Sequence, residues 1–172
     1  MGPTSDEPGG DDTSHNDRRD PERSSLHATV LLVDDNADDA ELTLRALARS
    51  GVSDIVDVAR DGEEALEYLL CEGRHLHRRD EPLPKLVLLD LNLPGIGGLE
   101  VLRRLRQQPR TRRLPVVVLT SSREDSDLAR SYDLGANSYV RKSVDFKRFV
   151  ETAHDLARFW LLHNELARSE ST

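Results

Sequence analysis

The amino-acid sequence predicts a doubly wound α/β fold, with a five-stranded parallel sheet covered by helices on both faces. Two observations carry this prediction. Short unbroken aliphatic runs such as "ATVLLV" and "KLVLLD" suit strands buried on both faces, where alternation with polar residues disappears. Longer segments with apolar residues at helical spacing separate these runs, so strand and helix alternate from Ala28 onward.

Each element follows in turn. Ala28 to Val33 form the first strand. Asp38 is the expected N-cap of a helix reaching about Ser50, with Leu42, Leu44 and Leu47 among its apolar positions and Gly51 closing it. "DIVDVA" (Asp54 to Ala59) is the second strand, and a helix from about Gly62 to Glu72 ends at Gly73. "RHLHRRDEPLP" reads as a charged loop. Lys85 to Asp90 form the third strand, and Gly98 to Gln108 the next helix. Pro115 opens the fourth strand, "PVVVLT"; a helix from Glu124 to about Leu134 and a fifth strand from Ser138 to Arg141 follow. Asp145 is the expected N-cap of a last helix running to Ala167.

Composition bounds the rest. A chain of 172 residues fits one domain with flanking extensions. Residues 1–26 have almost no large apolar side chains and read as a disordered tail, because they cannot bury enough area to offset ordering. Residues 27–157 form the folded domain, and 158–172 a helical extension and tail. The net charge of -8 argues against a nucleic-acid partner or an anionic membrane surface. Cys71, the single cysteine, has no partner for an internal disulfide, which favours a reducing, cytoplasmic setting. No apolar run approaches the roughly 20 residues needed to span a bilayer, and the N-terminus lacks the apolar core of a signal peptide.

In open parallel sheets, ligands bind outside the carboxyl ends of the strands. After the first strand come Asp34 and Asp35; after the third, Asp90 and then Asn92. The fourth ends in Thr120 and Ser121, and the fifth runs into Lys142. A polar residue at any single strand end is as easily a turn former; the signal is the set. Carboxylates brought this close repel unless a cation lies among them. An all-oxygen donor set suits a hard ion, Mg²⁺ best. An ammonium and a hydroxyl beside such a metal suit a phosphoryl group.

"LLVDDN", "LVLLDLNLPGIGGLEVL", "VVVLTSS" and "LGANSYVRKSVDF" together resemble the receiver domains of two-component response regulators, the CheY-like, flavodoxin-like family, over about Ala28 to Ala157. The resemblance implies strand order 2-1-3-4-5 and a phosphoacceptor rather than an enzyme. Asp90 would take a phosphoryl group from a phosphohistidine on a sensor histidine kinase. Asp34, Asp35, Asp90 and the backbone carbonyl of Asn92 would hold Mg²⁺. Thr120, with Ser121 beside it, and Lys142 would contact the phosphoryl group, and Tyr139 would be the aromatic switch. "DGEEALEYL", the spacing in "NSYVRKSVDFKRF" and a terminal "FW" are similar to single-domain regulators paired with bacterial phytochromes. That similarity implies a bacteriophytochrome as kinase.

Two positions depart from the family pattern. Ser143 stands where proline usually follows the lysine across a cis bond. A cis bond before a non-proline residue costs about 2.5–4 kcal/mol, so the Lys142–Ser143 bond is expected to be trans, with the long lysine stem still reaching Asp90. Gly97 replaces a frequent aspartate and reads as a change of loop shape. His75 and His77 read as solvated loop residues, and Cys71 as a semi-buried helix residue.

In the last helix Phe146, Phe149, Val150, Ala153, Leu156, Ala157 and Trp160 form one stripe suited to packing on the sheet. Beyond it, Phe159, Trp160, Leu161 and Leu162 surround the helix with apolar surface, which implies a homodimer interface. Few residues follow, so the expected output is protein contact, directly or through a histidine phosphotransfer protein. The rival readings are a Mg²⁺-dependent phosphohydrolase, which would want an aspartate where Asn92 stands, and an adaptor that uses the fold as a scaffold.

Overall fold

The computed structural model describes residues 29–49 and 56–166. The expected N-terminal tail, the close of the first helix at Gly51, the start of the second strand at Asp54 and the helix end at Ala167 lie outside the described residues. Five parallel strands, β1 (Val30–Val33), β2 (Val56–Ala59), β3 (Leu86–Leu89), β4 (Val116–Thr120) and β5 (Ser138–Arg141), pair in the order β2-β1-β3-β4-β5. The helices between and after them are α1 (Ala37–Arg49), α2 (Gly62–Leu70), α3 (Gly98–Gln107), α4 (Asp125–Asp133) and α5 (Phe146–Ala157).

The central strands have the two-sided burial that their composition predicts. All residues of β1, β3 and β4 are buried, and alternate residues enter opposite cores, as the period of two requires. Leu31, Val33, Val87, Leu89 and Val116 pack with α2 and α3 residues Ala65, Leu69, Val101, Leu102 and Leu105. Val30, Leu32, Leu86, Leu88, Val117 and Leu119 pack with Ala46 and Leu47 of α1 and Phe149, Ala153 and Ala157 of α5. The edge strands β2 and β5 are only partly buried.

Local expectations fail in four places. The cap of α1 is Asn36 rather than Asp38: its Oδ1 accepts from the Asp38 and Asp39 amides at 3.0 and 3.2 Å. That places the helix start two residues earlier, with Asp38 and Asp39 both in the first turn. Helix α2 ends at Leu70, and Cys71 follows in the left-handed region (φ 58°), buried rather than on a helix. The expected charged loop is instead a 3₁₀ helix over Gly73–Asp80. It is held against one aromatic ring: the buried Arg78 guanidinium lies 3.4 Å from the Tyr68 ring centroid, and His75 packs edge-on against the same ring.

The last helix also changes character. It leaves α5 through a π-helical segment, Arg158–His163, closed by a hydrogen bond from the Asn164 amide to the Phe159 carbonyl. The wider winding turns less per residue, so Trp160 and Leu161 both pack on the α1/α5 core. Of the four expected interface residues only Phe159 and Leu162, 53% and 72% exposed, project into solvent. Among the described residues no helix is long and apolar enough to cross a membrane.

Candidate functional site

The sheet ladder continues one residue past the strands and brings three charged side chains to one edge. Asp34 N donates to the Ala59 carbonyl, Asp90 N to the Val33 carbonyl, and Lys142 N to the Thr120 carbonyl, all at 2.9–3.0 Å. Asp34 and Asp90, 2% and 6% exposed, therefore face each other across the β1–β3 seam, with Thr120 fully buried beside them. Burial of two carboxylates is costly unless each is paired and hydrogen-bonded.

Every carboxylate oxygen of this pair has a partner. Asp34 Oδ1 accepts from the Asn36 amide at 3.0 Å and Oδ2 from Lys142 Nζ at 2.6 Å. Asp90 Oδ1 accepts from the Asn92 amide at 3.0 Å and from Thr120 Oγ1 at 2.9 Å; its Oδ2 accepts from Lys142 Nζ at 2.8 Å. The Lys142–Ser143 bond is trans, and the lysine stem spans the gap as expected. Ser143 takes over the local turn, its Oγ accepting from the Asp145 amide at 3.1 Å, and Asp145 caps α5 through the Lys147 and Arg148 amides.

A third carboxylate joins the lysine. Asp39 Oδ2 lies 3.0 Å from Lys142 Nζ, so the three N–H donors of the ammonium are matched by three carboxylates. Asp39 was not among the residues singled out from sequence. The signal lay in "DDNADD": Asn36 caps the helix, and the cap turns the first-turn Asp39 toward the strand ends.

The electrostatics follow from this packing. Burial raises the Asp34 carboxyl above its ordinary value, and the contact with Lys142 opposes that only in part. Burial alone would lower the Lys142 ammonium, but its hydrogen bonds to Asp34 and Asp90 outweigh it and hold the group well above its ordinary value.

The other expected residues take different places. Asp35 is exposed, and among the described residues it makes no hydrogen bond or ion pair. Ser121 is exposed on the rim of a cleft of about 310 Å³ lined by Asp39, Leu42, Lys142 and Val144. Tyr139 is half-buried; its hydroxyl donates a long hydrogen bond of 3.5 Å to the Ser122 carbonyl, and burial raises its pKa above the ordinary tyrosine value. Ser122 couples this part to the site. Its amide donates to Thr120 Oγ1 at 3.3 Å and its hydroxyl to Asp127 Oδ2 of α4 at 2.6 Å. The loop after Asp90 is shaped by Gly95, with φ 67°, and by Gly98, where a Cβ would come within 2.2 Å of the Asp90 carbonyl oxygen.

Among the described residues no three acidic, imidazole or thiol side chains are arranged as a metal cluster. The Asp34–Asp90 pair converges on an ammonium instead, with Asp35 beside it at the surface. The donor chemistry still fits a hard divalent cation: two carboxylates out of water, a third adjacent in sequence, and no sulfur or imidazole.

Comparison with known proteins agrees with this fold. The response regulator receiver domain family matches residues 30–154. The probable methanogenesis regulatory protein FilR2 of Methanothrix harundinacea is 42% identical over 77% of this chain and 83% of its own length. Response regulator Rcp1 of Synechocystis is 36% identical over 81% of this chain and 93% of its own. The solved Mn²⁺-bound form of Rcp1 superposes with a TM-score of 0.73 over 81% of this chain and 98% of that one, at 37% identity. The phosphorylated cyanobacterial phytochrome response regulator RcpA superposes with a TM-score of 0.75 over 83% and 99%, at 39% identity. Asp34, Asp90, Thr120 and Lys142 all fall within the matched segment, and the chain belongs to the response regulator receiver domain family.

Proposed function

We propose that this receiver domain accepts a phosphoryl group on Asp90 from the phosphohistidine of a sensor histidine kinase, and that it acts as a phosphoacceptor rather than as an enzyme with substrates of its own. The observation that carries this reading is the pair of donors on Asp90: an ammonium on Oδ2 at 2.8 Å and a hydroxyl on Oδ1 at 2.9 Å. A carboxylate oxygen attacks phosphorus, the histidine N–P bond breaks, and an aspartyl phosphate forms while the imidazole recovers its electron pair. Lys142 and Thr120, already at the carboxylate, are placed to neutralise and hydrogen-bond the transferred oxygens. Asp34, Asp35, Asp90 and the Asn92 carbonyl would hold Mg²⁺, which when bound offsets the charge of the phosphoryl oxygens.

Drawing Thr120 toward the new dianion would release the Ser122 amide and the contacts of Ser122 with Asp127 and Tyr139, repacking the α4–β5–α5 surface. The similarity to RcpA and Rcp1 supports a phytochrome-type kinase, a bacteriophytochrome in this reading. It also supports a cytoplasmic regulator that signals by protein contact, directly or through a histidine phosphotransfer protein. Exposed Phe159 and Leu162 support a homodimer formed through the π-helical end of the last helix.

Phosphotransfer from a radiolabelled phytochrome kinase tests the central claim. Label should appear on the wild type and be absent from Asp90→Asn; an unlabelled wild type would refute it. Sedimentation of Phe159→Ala/Leu162→Ala tests the assembly, and an unchanged dimer mass would remove it.

A further inference from the structure

We propose that Asp39 is a positioning residue: it gives the Lys142 ammonium a partner outside the Asp34–Asp90 pair and thereby sets how readily that pair accepts a divalent cation. The inference rests on the metal-site reading above.

An ammonium has three N–H donors, and Lys142 spends them on Asp34 at 2.6 Å, Asp90 at 2.8 Å and Asp39 at 3.0 Å. A divalent cation drawing on Asp34 and Asp90 competes with the ammonium for Oδ2 of each, because their Oδ1 atoms are engaged by backbone amides and Thr120. The lysine side chain retains only 10% of its exposure, so an ammonium that loses two carboxylates and has no third would be a poorly solvated charge.

Asp39 removes that difficulty. It stands on α1, outside the residues expected to bind metal, and its side chain is 34% exposed, so it can hold the ammonium where water completes the shell. The position also agrees with the surrounding backbone. The Asn36 side chain caps the first turn of α1, which carries Asp39, and α1 packs against α5 on this side of the sheet. Asp38, its neighbour in the same helical turn, is exposed and makes no hydrogen bond or ion pair with Lys142, which provides an internal control for charge alone.

Free Mn²⁺ measured by electron paramagnetic resonance on the full chain reads the affinity without reference to phosphotransfer. Asp39→Asn should weaken Mn²⁺ binding roughly tenfold, as for the loss of one hydrogen bond to a charged group. Asp38→Asn should stay within about twofold of wild type, and Asp39→Asn placed in a Lys142→Met background should stay within about twofold of Lys142→Met alone, where no ammonium needs a partner. Unchanged or tighter binding in Asp39→Asn alone would overturn the proposal. So would an equal loss in Asp38→Asn, or a full loss persisting without Lys142, since both mean that Asp39 acts only as a charge. A wild type that does not bind Mn²⁺ at all would instead overturn the metal-site reading, and this inference with it.

Discussion

Two of the cations drawn out of water in this domain, Lys142 and Arg106, are held in opposite ways. Lys142 sits among three carboxylates at the carboxyl edge of the sheet. Arg106, on α3, reaches the opposite end and meets neutral acceptors: the Gly135 carbonyl at 2.8 and 3.0 Å, the Leu114 carbonyl at 2.9 Å and Asn137 Oδ1 at 3.1 Å. Burial lowers the Arg106 group from its ordinary value, whereas the carboxylates raise Lys142. The first cation neutralises charge and can be exchanged for another cation. The second ties the α4–β5 turn to the end of α3 and the start of β4, since Asn137 Oδ1 also accepts from the Val116 amide at 2.9 Å. A charged partner makes a switchable site, and neutral partners make a fixed pin.

The largest expected effect breaks the first arrangement. Lys142→Met leaves Asp34 and Asp90 buried without their cation and should cost about 3 kcal/mol at neutral pH, read from the urea midpoint. The deficit should shrink on adding Mg²⁺, through ligand linkage to the folded state.

Its pH dependence sharpens the same contrast. A raised Lys142 stabilises the fold fully below the ordinary lysine value of 10.5 and loses that contribution as pH rises through its higher folded value. The difference in stability between wild type and Lys142→Met should therefore fall on the alkaline limb above 10.5. For Asp34 the sign is the same in form: its raised carboxyl favours folding below the ordinary value of 3.8, and that contribution is lost as pH rises through the folded value. Acid should accordingly reduce the cost of Lys142→Met, while a cost that grows toward low pH would contradict the charge-neutralising role.

Next in size is Arg106→Met. It removes hydrogen bonds to carbonyls that are partly open to water and can be rehydrated, so about 2 kcal/mol is expected. No response of this deficit to Mg²⁺ is expected; a metal-dependent deficit would erase the distinction between the two cations. The smallest is Ser143→Ala, which deletes one exposed acceptor and should cost about 0.5–1 kcal/mol. Phosphotransfer to Asp90 should persist, because the lysine reaches its partners through its own stem.

Much of this was legible in the residues themselves. The aliphatic runs marked strands buried on both faces, and β1, β3 and β4 are buried throughout, while the strand order was legible only through the family resemblance. The break between run and charge located Asp34, Asp90 and Lys142. The 3₁₀ helix was not legible, because "RHLHRRD" is polar by composition and is buried in part only through the Tyr68 ring it meets. Nor was the inward turn of Leu161 beside Trp160, which depends on the π-helical winding.

The sequence by itself determined the class of fold, the edge at which chemistry collects and the identity of most groups there, since hydrophobic period and strand-end residues are local properties. Only the tertiary structure decided how those groups share one ammonium. Asp35, adjacent to Asp34, faces solvent, while Asp39, four residues further along, joins Lys142 from 103 residues away. That choice depends on the Asn36 cap and on the packing of α1 against α5, which set distances that no spacing along the chain encodes.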